Sequence, residues 1–184
     1  MQRGTPGPPA TGGTPVRSVR SSREVVAYFL RLRPALGHAM QVRRPFVRQI
    51  GLLVEDLRRG DPITISRAAM SLGFETAPVF RELRLRFETL MPPPECRACN
   101  DAIVRWLDAH ISAAGLLTEI GSRREPRRLR EVQERLSEAR AHAMRFNQEY
   151  TRLKAELRGR LEAARTRIAG RRRSGLLGWL RPGG

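Results

Sequence analysis

LREVQERLSEARAHAMRFNQEYTRLKAEL, residues 129–157, has the most regular helical pattern in the sequence. Its apolar residues recur at alternating steps of three and four, the spacing that places side chains on one face of an α-helix. The row consists of Leu129, Val132, Leu136, Ala139, Ala143, Phe146, Tyr150, Leu153 and Leu157. It continues through Leu161, Ala164 and Ile168. The two successive steps of four, from Leu153 through Leu157 to Leu161, are expected to relax a left-handed supercoil locally. The pattern predicts one long, coiled-coil-like helix over about residues 126–170.

A second helix with the same periodicity precedes this one, over about residues 95–120. Its row is Cys96, Cys99, Ile103, Trp106, His110, Ala113, Leu117 and Ile120. Gly121-Ser122 is expected to end it, and the short connection that follows predicts an antiparallel pair. Cys96 is then expected opposite Tyr150, so the later helix extends beyond its partner.

Two more helices are predicted upstream, over about residues 22–59 and 63–90. The first begins at a capping box, Ser21 to Glu24, and contains Pro34 and Pro45, which are expected to kink it. Its row is Val25, Phe29, Leu32, Leu36, Ala39, Phe46, Ile50, Leu53 and Leu57. The second begins after the turn Gly60-Asp61-Pro62, and its row is Ile65, Ala69, Leu72, Phe80, Leu83, Phe87 and Leu90.

The predicted fold class is all-α: an antiparallel bundle of about four helices with a long, overhanging C-terminal helix. The bundle spans residues 21–170. Residues 1–20, which are rich in Gly, Pro and Arg, are predicted to form a disordered basic tail. Residues 171–184 are predicted to form a flexible basic tail, although their Leu and Trp residues also suit an anionic membrane or a partner surface.

The chain carries a formal net charge of +17, which favours anionic partners such as nucleic acid. Lys154 is the only lysine, and such a bias towards arginine also arises from GC-rich coding sequence, so the origin of the charge stays open. Two cysteines are too few for a disulfide framework, and no signal peptide or membrane-spanning stretch is found. These features predict a cytoplasmic protein that is not inserted in a membrane.

Cys96, Cys99 and His110 are the only residues that suggest chemistry. The spacing of the two cysteines is half of a zinc site or a redox pair, but all three residues occupy core positions of a helical row. His110 is about three helical turns from Cys99 and cannot share a metal with it. Core packing is therefore the preferred interpretation, and we predict no catalytic, metal or cofactor-binding residue.

The segment 65–87 offers an alternative interpretation as a helix-turn-helix. Ala69, Gly73 and Val79 are spaced as in that motif, and residues 76–87 would then be the recognition helix. The candidate nucleic-acid contacts are Arg81, Arg84 and Arg86, with Arg171, Arg172 and Arg173 in the C-terminal tail. One long helix with a weak middle explains the same residues.

The overhanging part of the last helix is the candidate protein interface. Its apolar residues would be uncovered where the preceding helix has ended, and a long exposed apolar stripe indicates an interface. The stripe consists of Leu153, Leu157, Leu161, Ala164 and Ile168. We predict a non-enzymatic interaction or structural protein that binds a protein partner or itself, with nucleic-acid association as the alternative.

Overall fold

The computed structural model describes the backbone of residues 15–178 and the side chains of residues 22–167. This part of the chain is all-α, as predicted, and contains four helices: α1 (Pro15–Asp56), α2 (Pro62–Glu88), α3 (Arg97–Arg123) and α4 (Leu129–Gly178). Single 3-10 turns, Pro94–Cys96 and Pro126–Arg128, precede α3 and α4. Positions 1–14 and 179–184 of the two predicted tails lie outside the described residues, whereas residues 15–20 and 171–178 are helical, contrary to the prediction.

Both long helices extend further than the sequence pattern predicted. Helix α1 begins at Pro15 rather than near residue 22, and α4 continues through Gly170 to Gly178. One glycine within a helix costs only about 1 kcal/mol relative to alanine, which is too little to end a long helix by itself. At about 1.5 Å per residue, α4 is about 75 Å long.

Helix α1 runs without interruption through both of its prolines. Pro34 and Pro45 lie on the exposed side, as do Leu30 and Gln41, the residues whose carbonyl groups lose their helical donors. Water reaches a carbonyl group on that side of a helix and replaces the missing N–H group. The proline positions therefore explain why α1 is one helix rather than two.

The four helices form an antiparallel bundle. Each helix packs against the next one in the chain, and α1 also contacts α4. The helical rows predicted from the sequence supply most of the core. Helix α2 begins as predicted, since the side chain of Asp61 accepts a hydrogen bond from the backbone N–H of Thr64 at 2.9 Å and Pro62 follows it. Helix α3 packs against both α2 and α4, which explains why Leu107 and Ala114, outside its predicted row, are also buried.

Two glycines mark the close approach of α2 and α3. A Cβ atom on Gly73 would lie 2.7 Å from the backbone nitrogen of Thr118. A Cβ atom on Gly121 would lie 2.5 Å from the carbonyl oxygen of Ser66. The prediction that Gly121 ends α3 is therefore wrong: the glycine allows close packing, and the helix ends at Arg123, followed by Arg124 in a left-handed conformation with φ 57°.

The connection between α3 and α4 is closed by Arg128. Its guanidinium group contacts both carboxylate oxygens of Glu131, at 2.8 and 2.9 Å. It also binds Glu119 at 3.0 Å and Glu125 at 3.1 Å. One arginine thus ties the end of α3 to the start of α4, and the antiparallel pair that follows positions the far end of α4.

Candidate functional site

An apolar groove lies between the N-terminal part of α1 and the C-terminal part of α4. It has a volume of about 510 Å³ and is formed by residues 22–30 of α1 and residues 160–167 of α4. Each lining segment is about two helical turns long. The apolar side chains of the groove are Val26, Ala27 and Leu30 from α1 and Leu161, Ala163 and Ala164 from α4.

Three large apolar side chains of this groove are open to solvent. Val26 is 45 % exposed, Leu30 is 69 % exposed and Leu161 is 60 % exposed. Val26 and Leu30 are four residues apart and therefore share one side of α1, while its core row continues on another side through Val25 and Leu32. This stretch of α1 thus has two apolar sides, and only one of them is used by the bundle.

The structure corrects the predicted interface on α4. Leu153 is buried in the core and Leu157 is half-buried against it, so only the later part of the stripe is open. The prediction left this part of α4 uncovered, whereas residues 22–30 of α1 lie beside it. Leu161 and Ala164 remain exposed, as predicted, and the side chain of Ile168 lies outside the described residues.

Aromatic contacts hold α1 against this part of the bundle. The rings of Phe29 and Tyr150 meet edge to face with centroids 5.0 Å apart, and Tyr150 stacks on Phe146 at 5.8 Å. The buried hydroxyl group of Tyr28 donates a hydrogen bond to Oδ1 of Asn100 at 3.0 Å. These contacts fix the N-terminal part of α1 on both α3 and α4 and so define one wall of the groove.

The hydrogen bond of Tyr28 gives a testable prediction for this wall. The replacement Tyr28→Phe leaves the buried Asn100 oxygen without its donor, and we expect it to lower the free energy of unfolding by about 1 kcal/mol. Tyr150→Phe is the control because the described residues give its hydroxyl group no hydrogen-bond partner. Urea unfolding followed by circular dichroism measures both. Equal effects of the two replacements would contradict the assigned role of the Tyr28 hydroxyl group.

The rim of the groove is basic. Arg23, Arg160 and Arg167 line it, and Arg160 has one carboxylate partner, Glu156, at a distant 3.9 Å. Arg23 and Arg167 make no ion pair with another described residue. The two helical segments that include the groove, residues 15–33 and 152–173, hold fourteen basic and three acidic residues. They therefore contribute +11 of the formal net charge of +17.

The helix-turn-helix interpretation of residues 65–87 is wrong. These residues lie within the single continuous helix α2, and Gly73 packs against α3 instead of forming a turn. Of the predicted contact residues, Arg84 binds Glu88 at 2.9 Å and Asp108 at 2.5 Å. Arg86 binds Glu82 at 2.5 Å, and Arg81 is exposed on the same helix. The side chains of Arg171, Arg172 and Arg173 lie outside the described residues.

Cys96 and Cys99 are fully buried, as the core interpretation requires. Burial raises the pKa of Cys96 to about 11 and that of Cys99 to about 12, so both thiols are protonated at neutral pH. The positive charge of Arg152 on α4 opposes this shift at both thiols. Within residues 22–167, no group of three potential metal ligands comes together.

His110 is buried among aromatic rings. Its Nδ1 atom lies 2.7 Å from the carbonyl oxygen of Trp106, and because a carbonyl group only accepts, Nδ1 carries the proton. The unprotonated Nε2 has no hydrogen-bond partner among the described residues. Burial, together with the nearby charge of the half-buried Arg43, lowers the pKa of His110 to about 4. The prediction of a hydrogen-bonded core histidine is confirmed.

No protein-family model, curated protein or solved structure matches this chain. Functional assignment therefore depends on the residues themselves. In the described helices, no segment is long and apolar enough to cross a membrane. The α4 side of the groove was predicted from the sequence, whereas the exposed apolar residues Val26 and Leu30 of α1 were not. Their signal is present in the sequence, because both are apolar residues next to the core row of α1.

Proposed function

We propose that this chain is a non-enzymatic helical-bundle protein that acts by binding another protein at the groove between α1 and α4. The observation that carries the proposal is the grouping of Val26, Leu30 and Leu161, which are large, apolar and solvent-exposed in one concave site. Concave apolar sites with a polar rim are the usual form of a binding surface. Other exposed large apolar side chains of the described residues, such as Phe74 and Leu85, do not line this groove.

The environment of the chemically reactive side chains supports the non-enzymatic part of the proposal. Cys96 and Cys99 are buried with raised pKa values, which removes the thiolate form needed for nucleophilic attack. His110 is enclosed by Phe46, Phe80 and Trp106, with ring centroids 6.2, 5.1 and 4.5 Å away. Two free cysteines agree with a reducing compartment such as the cytoplasm.

Site-specific photo-crosslinking in cells of the source organism tests the proposal. A photoreactive phenylalanine analogue is placed at Leu161 and, as a control, at Leu85, which is a helical leucine of nearly equal exposure at 59 %. We expect a discrete protein adduct from position 161 and none from position 85. No adduct at position 161, or the same adducts at both positions, would contradict a protein-binding role for the groove.

The alternative function is association with nucleic acid, and the observation that favours it is the +11 charge of residues 15–33 and 152–173. A gel-shift assay with random duplex DNA at two salt concentrations tests it. If the groove binds protein, we expect no shift near physiological salt. A shift there with a steep salt dependence would favour the alternative.

A further inference from the structure

The shape of the groove fits an α-helix. Two antiparallel helices form its walls, and each presents apolar residues at helical spacing: Val26 and Leu30 on α1, and Leu161 and Ala164 on α4. A third helix can place its own apolar side chains between two such rows, which is the arrangement of helix-in-groove recognition. The alanines at positions 27, 163 and 164 leave room for larger side chains from the occupant.

The charge of the rim selects the chemistry of the occupant. Arg23 and Arg167 have no described carboxylate partner, and Arg160, whose one carboxylate partner is 3.9 Å away, also lines the groove. If the occupant carries carboxylates on either side of its apolar stripe, they would pair with these three guanidinium groups when the stripe packs in the groove. A second copy of this chain would instead bring another basic surface to the same place, because residues 152–173 alone hold nine basic and two acidic residues.

The concave shape of the site favours a helix over a lipid surface as the occupant. A membrane contacts protruding apolar residues on a convex surface, whereas Leu161 and Val26 line a concave space of about 510 Å³. Nucleic acid would use the arginines but would leave the apolar side chains of Leu30 and Leu161 without a partner. The combination of an apolar floor with a basic rim therefore favours an acidic amphipathic helix over either alternative.

We propose that the groove between residues 22–30 of α1 and residues 160–167 of α4 binds an acidic amphipathic helix of a partner protein, which packs as a third helix against the two walls. This proposal rests on the protein-binding function proposed above and names the class of partner. The apolar stripe of the partner contacts Val26, Leu30 and Leu161, and its flanking carboxylates pair with Arg23, Arg160 and Arg167.

Fluorescence anisotropy with synthetic peptides and the full-length chain tests the proposal. The probe is a labelled peptide of about 20 residues, long enough to form a helix, with leucines at steps of three and four and glutamates beside them. One control peptide replaces the leucines with serine, and another replaces the glutamates with lysine. We expect saturable binding of the probe and at least about tenfold weaker binding of both controls.

Variants of the protein locate the binding site. Leu161→Glu and, separately, Leu30→Glu are expected to weaken probe binding at least about tenfold, whereas Leu85→Glu should leave it unchanged. All three positions are exposed, so circular dichroism should show the wild-type helix content. The double replacement of Arg160 and Arg167 by glutamate should weaken binding and reduce its salt dependence.

Several outcomes would overturn the proposal. Equal binding of the serine control would reduce the interaction to charge alone. If Leu161→Glu lost binding to phosphatidylglycerol vesicles or to duplex DNA but bound the acidic peptide as the wild type does, the groove would be assigned to lipid or to nucleic acid. A concentration-dependent dimer that Leu161→Glu abolishes would assign it to a second copy. A photo-crosslink at position 161 to a protein, combined with no binding of the acidic probe, would refute this partner class and leave the proposed function standing.

Discussion

Replacing Gly121 with alanine is expected to lower the free energy of unfolding by about 2 kcal/mol, because the new methyl group has no space. It would lie 2.5 Å from the carbonyl oxygen of Ser66 and 2.8 Å from the Cα atom of Met70. Both obstacles belong to the backbone of α2, so relief requires a shift of one helix against the other. Gly73→Ala should act in the same direction, because its Cβ atom would meet the backbone of Ala114 and Thr118.

Gly115→Ala is the matched control for Gly121→Ala. Gly115 lies on the same helix, and a Cβ atom there would meet nothing within 4 Å. Since alanine is the better helix former, we expect Gly115→Ala to raise the free energy of unfolding by about 0.5–1 kcal/mol. The measurement is the urea midpoint by circular dichroism. If Gly121→Ala were as stable as Gly115→Ala, the close approach of α2 and α3 would be refuted.

Acidification is expected to destabilise the fold through His110. An unfolded histidine takes up a proton near pH 6.5, whereas burial and the charge of Arg43 lower the pKa of His110 in the folded protein to about 4. Between these values the unfolded state binds more protons, so stability falls as the pH falls through this window. The full contribution is present above pH 6.5, amounts to about 3 kcal/mol, and is lost near pH 4.

His110→Phe isolates this contribution. The phenyl ring fits among the neighbouring aromatic rings, and the carbonyl group of Trp106 keeps its helical hydrogen bond. Between pH 6.5 and pH 4, we expect the free energy of unfolding of this variant to fall by about 3 kcal/mol less than that of the wild type. His38→Gln, at an exposed position of α1, should retain the wild-type profile. An unchanged profile in His110→Phe would contradict the assigned role of the buried imidazole.

The sequence predicted the fold class and most of the core because helical periodicity is a local property. The predicted rows of α3, from Cys96 to Ile120, and of α4, from Leu129 to Leu157, are buried or half-buried, except for Tyr150, which is 37 % exposed. It did not predict the role of Gly73 or Gly121, since a helical glycine indicates either a break or a close contact. Only the position of the facing helix distinguishes the two, and that position is not a local property.

The candidate site was predicted in part for the same reason. Periodicity identified Leu161 and Ala164 as apolar positions on the far part of α4, but it could not show that α1 accompanies them. Leu153 and Leu157 pack against the core, and residues 22–30 of α1 lie alongside α4 from Tyr150 to Arg167. Coverage of an apolar row depends on which distant segment packs against it, and the row itself contains no information on its partner.

Amide hydrogen exchange on the full chain, alone and with saturating acidic amphipathic peptide, is the most direct test of the proposed docking site. We expect the peptide to slow exchange in residues 22–30 and 160–167 together, because both walls of the groove contact the same helix. We expect no change in α2 or around the α3–α4 connection. Slowed exchange in only one of the two walls, or in α2 instead, while the peptide is bound would contradict the account.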